Sequence, residues 1–238
     1  MLEEVFSLPR GRNFAVHFLS SSEQEHRSGL INRSRMYTPI FNRIDDRALL
    51  IEAMQAYSFA ILVGAQDAMP LVASHLPLVV KDEGPHGVIE GHLARANQHW
   101  QAMAGRETLA IFAGPHSYVS PMLYTDPLPV PTWNYIAVHA YGTAELVEED
   151  AAKDAVLTSL MLLHEPVMAE RWHALPEELR GSMLAGIVAF RMPITRIEGK
   201  FKISQNREVQ ERSNVQAAHS GGSPDQKALA DWMARLAR

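Results

Sequence analysis

The sequence predicts a mainly β, α+β domain: a small antiparallel barrel with helical additions. Three observations lead there. About six or seven short runs rich in β-branched and aromatic residues are separated by Gly, Pro and polar turns. Segments with helical spacing of apolar residues gather at the edges of this pattern and late in the chain. No internal repeat or convincing linker divides the 238 residues, so one domain is expected.

Asp45 or Asp46 can cap a helix running through Leu49, Leu50, Met54 and Tyr57, because a carboxylate there accepts the first-turn N–H groups. Residues 59–63 form a strand ended by Gly64, and 72–80 the next, where Pro77 implies an edge position or a bulge. Residues 81–85 are a hairpin loop and 88–92 its return strand. A short helix over 97–103 stops near Gly105, and 108–112 is a buried strand. Prolines 115, 121, 127, 129 and 131 make 115–131 a long surface crossing. Strand character returns over 133–146. Helices are expected over 149–164 and 176–185, then one or two strands over 188–203, then helical stretches at 207–218 and 224–236.

Composition narrows the classes. Hydrophobic content of 47% and charged content of 21% suit a globular chain. The lack of cysteine removes disulfides, Cys-based zinc sites and Cys nucleophiles, and fits a cytoplasmic location. A net charge of −5 opposes broad, sequence-independent affinity for DNA or acidic membranes. No apolar run approaches the roughly 18 residues that span a bilayer, and no membrane association is expected. Residues 1–35 begin with Glu3 and Glu4 rather than a basic, signal-like start, and are expected to be a poorly ordered extension or a mis-assigned start. A short native arm is the alternative. A domain over 36–210 and a packed helical tail over 211–238 complete the division.

The chemistry concentrates in a few segments. In Ser74-His75-Leu76-Pro77, alternation puts Ser74 and Leu76 on one face and His75 on the other. A bulge at Pro77 would leave backbone able to bond a planar heterocycle, while a barrel strand with a satisfied histidine explains the segment equally well. Gly91-His92-Leu93-Ala94-Arg95-Ala96-Asn97 forms a strand-to-helix junction with free N–H groups, and Arg95 adds a charge-assisted clamp suited to phosphate. The bland reading is a capping Asn97 and a solvated Arg95. In Gly114-Pro115-His116-Ser117-Tyr118-Val119-Ser120-Pro121 the hydroxyls can meet a ribityl chain or phosphate and Tyr118 can stack. Trp133-Asn134-Tyr135 can wall a flat ligand, fill a subunit interface, or pack in the core. Over Lys200-Phe201-Lys202-Ile203-Ser204-Gln205-Asn206-Arg207, alternation places Lys200, Lys202 and Ser204 together on one face. No spacing supports a metal site or a Ser-His-Asp triad, so no catalytic residue is assigned.

These segments, in this order and joined by Met36-Tyr37-Thr38-Pro39, resemble the PaiB family of FMN-binding negative transcriptional regulators over about residues 36–210. The resemblance implies a split β-barrel shared with pyridoxamine-phosphate oxidases, a homodimer, and FMN at the subunit interface. It implies that Ser74, His75 and Leu76 meet the isoalloxazine edge, and that His92, Ala94, Arg95 and Asn97 surround the ribityl phosphate. Ser117 and Tyr118 join the cofactor set, with Trp133, Asn134, Lys202 and Gln205 coming partly from the second subunit. Gln98 stands where the family pattern has proline, which leaves the phosphate residues untouched. Three functions compete: an FMN-binding regulator, with direct DNA contact possible but unsupported by net charge; a flavin-dependent oxidoreductase or haem-degrading relative fed by NAD(P)H; and a barrel that has lost its cofactor.

Overall fold

Alternating burial organises this computed structural model, which describes residues 36–66, 69–125 and 130–236. Among them run nine strands: β1 (Arg43–Ile44), β2 (Phe59–Gln66), β3 (Met69–Pro77), β4 (Val79–Lys81), β5 (Val88–Ala94), β6 (Glu107–Val119), β7 (Thr132–Thr143), β8 (Glu145–Val147) and β9 (Ile187–Lys202). Seven helices accompany them: α1 (Arg47–Ala56), α2 (His99–Met103), α3 (Asp150–His164), α4 (Pro166–His173), α5 (Glu177–Ala185), α6 (Val209–Ser220) and α7 (Pro224–Leu236). All strand pairings are antiparallel, in the order β3-β2-β6-β7-β9-β5-β4, with β1 and β8 also on β9.

The sheet curls because β9 serves two halves. Its first part pairs with β5 and β8, and its second with β7 and β1. At the changeover the register shifts between Tyr141 and Gly142. A Cβ on Gly142 would lie 2.3 Å from the Pro193 carbonyl oxygen, so only glycine lets the two strands close up there. Inside the curl, Leu62, Phe112, Ile136 and Phe201 meet Ile89, Leu93, Phe190 and Met192, and α1 and α7 pack Leu50, Met54, Leu229 and Trp232 onto them.

Several expectations change. Residues 72–80 are two strands, because Leu78 turns inward and is fully buried. Pro77 does lie on an edge strand, paired with Phe59; the irregular register falls instead between Gly64 and Gln66. The proline-rich stretch after 115 is not all surface crossing: β6 continues to Val119. Pro115 is accommodated because the β6–β7 register shifts between Ala113 and His116, so its missing N–H falls in a bulge. The 188–203 segment is one strand, and α4 escaped notice behind its N-terminal proline. Asp46 is the cap of α1, accepting from the N–H groups of Ala48 (2.9 Å) and Leu49 (3.3 Å). The expectation for residues 1–35 lies outside the described residues.

The C-terminal helices are held by specific contacts. Trp232 stacks edge-on against Phe201 at 5.1 Å, and its indole N–H donates to the Tyr57 hydroxyl at 2.9 Å. Arg235 grips Glu52 with two bonds of 2.7 and 2.6 Å. Trp232→Ala removes both the packing and the hydrogen bond, and is expected to cost about 3–5 kcal/mol. Urea unfolding of the purified variant checks this; an unchanged midpoint would show that α7 is not part of the cooperative unit.

Candidate functional site

Ser74, itself buried, is the hub of a polar trio. Inward-facing on β3, its hydroxyl accepts from the Asn97 amide at 3.1 Å and lies 2.9 Å from Nδ1 of His99. Asn97 in turn accepts from the His99 N–H at 3.1 Å, which starts α2. Edge strand β3, the turn after β5 and the first turn of α2 are thereby tied together. His99 is 2% exposed, and burial holds its pKa below the usual value. Its Nε2 is buried without a partner and faces Gly64, where a Cβ would approach to 2.9 Å. Sequence reasoning missed His99. The available signal was its place two residues after a capping Asn97.

Arg95 is exposed but not loose. Its Nε donates to the Ala185 carbonyl (2.7 Å) and an Nη to the Ile187 carbonyl (2.9 Å), while its backbone N–H bonds Gly186 at 2.9 Å. The cation thus sits at the C-terminal end of α5, where the helix dipole favours it. A guanidinium has five N–H donors, so this pre-orients the group and leaves donors for a ligand. The expected row of free backbone N–H groups is corrected: those of Arg95, Asn97 and His99 are already bonded. His92 is half-buried on β5 with an unpartnered Nδ1, and burial lowers its pKa. Ala94 and Ala96 are exposed and small, so nothing bulky bars an approach. A guanidinium, an amide and an unpaired imidazole nitrogen fit the donor needs of a phosphate ester.

The remaining residues lie elsewhere. Tyr118 and Trp133 are direct cross-strand partners on β6 and β7, 48% and 53% exposed, with rings edge-on at 6.2 Å. Ser117 is buried and its hydroxyl donates to the Tyr118 carbonyl at 3.1 Å. Asn134 is buried and donates to the Ser204 hydroxyl at 3.0 Å. Lys202 donates to the Thr132 hydroxyl and, at 2.6 Å, to the Trp133 carbonyl. Burial, then the neighbouring charges of Lys200 and Arg207, lower its pKa. Both ends of the Gln205 amide are used locally: it accepts from the Ile203 N–H (2.8 Å) and donates to the Phe201 carbonyl. Ser204 does not share a face with Lys200 and Lys202; at φ 66° the chain turns and buries it.

One chain therefore carries two clusters, not one. Ser74 shares a row with Leu62, Ala110 and Ala140, whereas Asn134 lies six residues from Ala140 on β7, about 20 Å along the strand. The two clusters are also far apart along β9: Arg95 bonds its first residue, Ile187, and Lys202 is its last. Among the described residues no cluster of three or more His, Asp or Glu side chains is placed to hold a metal, and no helix is long and apolar enough to cross a membrane.

Ser74→Ala would leave His99 Nδ1 and the Asn97 amide without their shared partner, an expected loss of about 1–3 kcal/mol in urea unfolding. The buried histidine also sets a pH dependence. Its folded pKa lies below the ordinary 6.5, so above that pH it is neutral in both states and carries no penalty. As pH falls below 6.5, the unfolded chain takes up a proton that the folded one resists, and stability declines until the folded pKa is passed. One such group contributes a slope of at most about 1.4 kcal/mol per pH unit. His99→Gln should flatten the acid limb by that share; an unaltered limb would show that His99 does not titrate against the fold.

Comparison with known proteins agrees with this architecture. The family described as "Putative FMN-binding domain" matches residues 36–196. "Protease synthase and sporulation protein PAI 2" of Bacillus subtilis is 34% identical over 205 residues, covering 83% of this chain and 96% of that protein. Among solved structures, the flavocytochrome Anf3 of Azotobacter vinelandii superposes with a TM-score of 0.55 at 15% identity, over 71% of this chain and 73% of that one. An FAD and heme binding protein of Mycobacterium smegmatis gives 0.55 at 17% identity, over 76% and 81%. These last two establish the fold alone. The domain match and the close relative together make the chain a member of the PaiB family of FMN-binding split-barrel proteins, with FMN as its cofactor.

Proposed function

We propose that the protein acts as a cytoplasmic homodimer that holds FMN at the seam between its subunits and couples the bound flavin to control of transcription. The observation that carries the dimer is the separation of the two clusters at opposite ends of β9, which no single chain can close around one ligand. A second copy brings the far cluster of one subunit to the near cluster of the other.

In this reading the open edge of β3 at Ser74, His75 and Leu76 meets the flavin ring, since β3 has β2 as its one neighbour in the sheet order. His92, Ala94, Arg95 and Asn97 take the phosphate. Ser117, Tyr118, Trp133, Asn134, Lys202 and Gln205 come from the facing subunit: Tyr118 and Trp133 through exposed rings, Lys202 through its half-buried ammonium, the others by holding the backbone in place. Bound FMN supplies the redox chemistry of its ring; the chain's own residues bind, orient and shield it.

The outer face of the sheet offers the docking surface. Phe59 and Leu71 are exposed there, beside Ile61, Ile111 and Ala137 in neighbouring rows. A stable dimer buries about 1,200–2,000 Å² in total; on this face His75 and His139 interleave with the apolar residues. Regulation ranks first because of family membership; with a net charge of −5, contact with DNA requires a local basic face.

An absorbance spectrum of the purified protein, with the released flavin identified, tests the cofactor. Arg95→Ala should weaken FMN about tenfold or more while sparing riboflavin, because a charge-assisted bond to phosphate contributes about 1.5–3 kcal/mol. Equal losses for both ligands would refute the phosphate role. Ile111→Glu should yield a monomer by light scattering that has also lost most of its FMN affinity. A gel shift that weakens with salt supports direct DNA binding, whereas NADPH-driven turnover with an acceptor would favour the oxidoreductase reading.

A further inference from the structure

Where β7 begins and β9 ends, a cleft of about 160 Å³ is lined by Tyr124, Thr132, Asn134, Lys202, Asn206 and Arg207, with Ser204 behind them. That is room for about five waters. Its charges are unbalanced. Lys202 bonds a hydroxyl and a carbonyl, and Lys200 bonds the Tyr37 carbonyl; neither makes an ion pair among the described contacts. The carboxylate near Arg207 is Glu211 at 3.8 Å, and it accepts from the Thr125 N–H and hydroxyl at 2.9 and 3.0 Å. Crowded cations raise one another's energy, and here the crowding, after burial, lowers the pKa of Lys202.

The wall is built from buried polar groups. Asn134 is 1% exposed and Ser204 4%. Tyr124 is 9% exposed and its hydroxyl has no hydrogen-bond partner. Ser204 is also the one non-glycine residue at positive φ among those described, a conformation that costs energy and recurs at ligand-holding sites. The Arg207 guanidinium carbon sits over the Tyr124 ring, 4.0 Å from its centroid, which holds the cation at the cleft.

We propose that this cleft is a second oxyanion site, receiving the carboxylate or phosphate group of a small molecule that meets the flavin. The proposal rests on the flavin reading above, and it assigns the cleft an anion other than the FMN phosphate, which Arg95 holds. Lys202 has one N–H left beyond its two bonds, Arg207 supplies planar donors, and the Tyr124 hydroxyl completes the set.

The test titrates FMN-loaded protein with inorganic phosphate and, separately, benzoate, by calorimetry at constant ionic strength in chloride. Saturable binding of at least one anion is expected. Arg207→Gln should weaken it about tenfold or more and Tyr124→Phe about threefold, while Arg207→Lys keeps it within about threefold. FMN affinity should stay within about twofold in Arg207→Gln. Circular dichroism and thermal melting confirm folding, and Tyr124→Phe carries the comparison if the glutamine variant fails to fold. No saturable binding of either anion, or binding indifferent to Arg207, overturns the proposal. A loss of FMN but not riboflavin in Arg207→Gln overturns it differently, because the cleft then holds the cofactor's own phosphate. If wild-type protein binds no FMN, the flavin reading fails, and anion binding by the same protein then shows an oxyanion site without a flavin role.

Discussion

Gly142 packs its bare α-carbon against the Pro193 carbonyl, and this contact lets β9 leave one half of the barrel and join the other. Antiparallel pairing demands continuous hydrogen bonds, so a strand shared by two half-sheets must bend where its partners change. Here the bend follows the pairing of Met192 and Pro193 with β5 and precedes that of Ile194 with β7. Both candidate clusters inherit their positions from it. Arg95 is tethered to the carbonyl at the strand's first residue, and the Lys202 ammonium projects from its last. Any change in the corner would move the two clusters relative to each other, far from the residues that touch a ligand.

Local polarity is arranged with equal economy at the near cluster. Inside the barrel a lone hydroxyl would be costly, yet Ser74 meets two partners, and the trio joins three elements with few atoms. The cost is left at His99 Nε2, which has no partner and needs Gly64 opposite to fit. A strained or unsatisfied group usually persists where function holds it. The trio fixes the rotamer of Asn97 and the edge position of β3, so the segment proposed to meet a ligand is ordered before the ligand arrives. Preorganisation of this kind lowers the entropy lost on binding.

How much of this was legible without coordinates depends on the range of the interaction. The Asp46 cap, the edge placement of Pro77 and the long helices could be read because each rests on neighbours within a few residues. The extent of β6 could not. Pro115 signals a break, and only the slipped register opposite Ala137 and Tyr135 shows that the strand absorbs it as a bulge. Arg95 was expected to clamp a phosphate; within the chain its donors go to the carbonyls of Ala185 and Ile187, some 90 residues away. His99 was invisible for a related reason: its partner is Ser74, and its neighbour across the interior is Gly64. Ser204 misled because alternation assumes extended backbone, and a φ of 66° breaks it. The chemical character of each segment was thus readable, while the pairing of segments was a property of the fold.

Charge makes the same point at the surface. A net charge of −5 is a statement about the whole chain, and screening limits its reach to about 10 Å at ordinary salt. Within that radius what matters is the local set, and the far cleft is lined by Lys202 and Arg207 with no carboxylate among its described lining residues. Low-dielectric walls such as the Tyr124 ring and the Asn134 strand strengthen that local field. An acidic protein can in this way repel polyanions at a distance and still receive one small anion at a cleft. The positive site then selects by size and geometry, because only a compact ligand can reach it without bringing further negative charge against the rest of the surface.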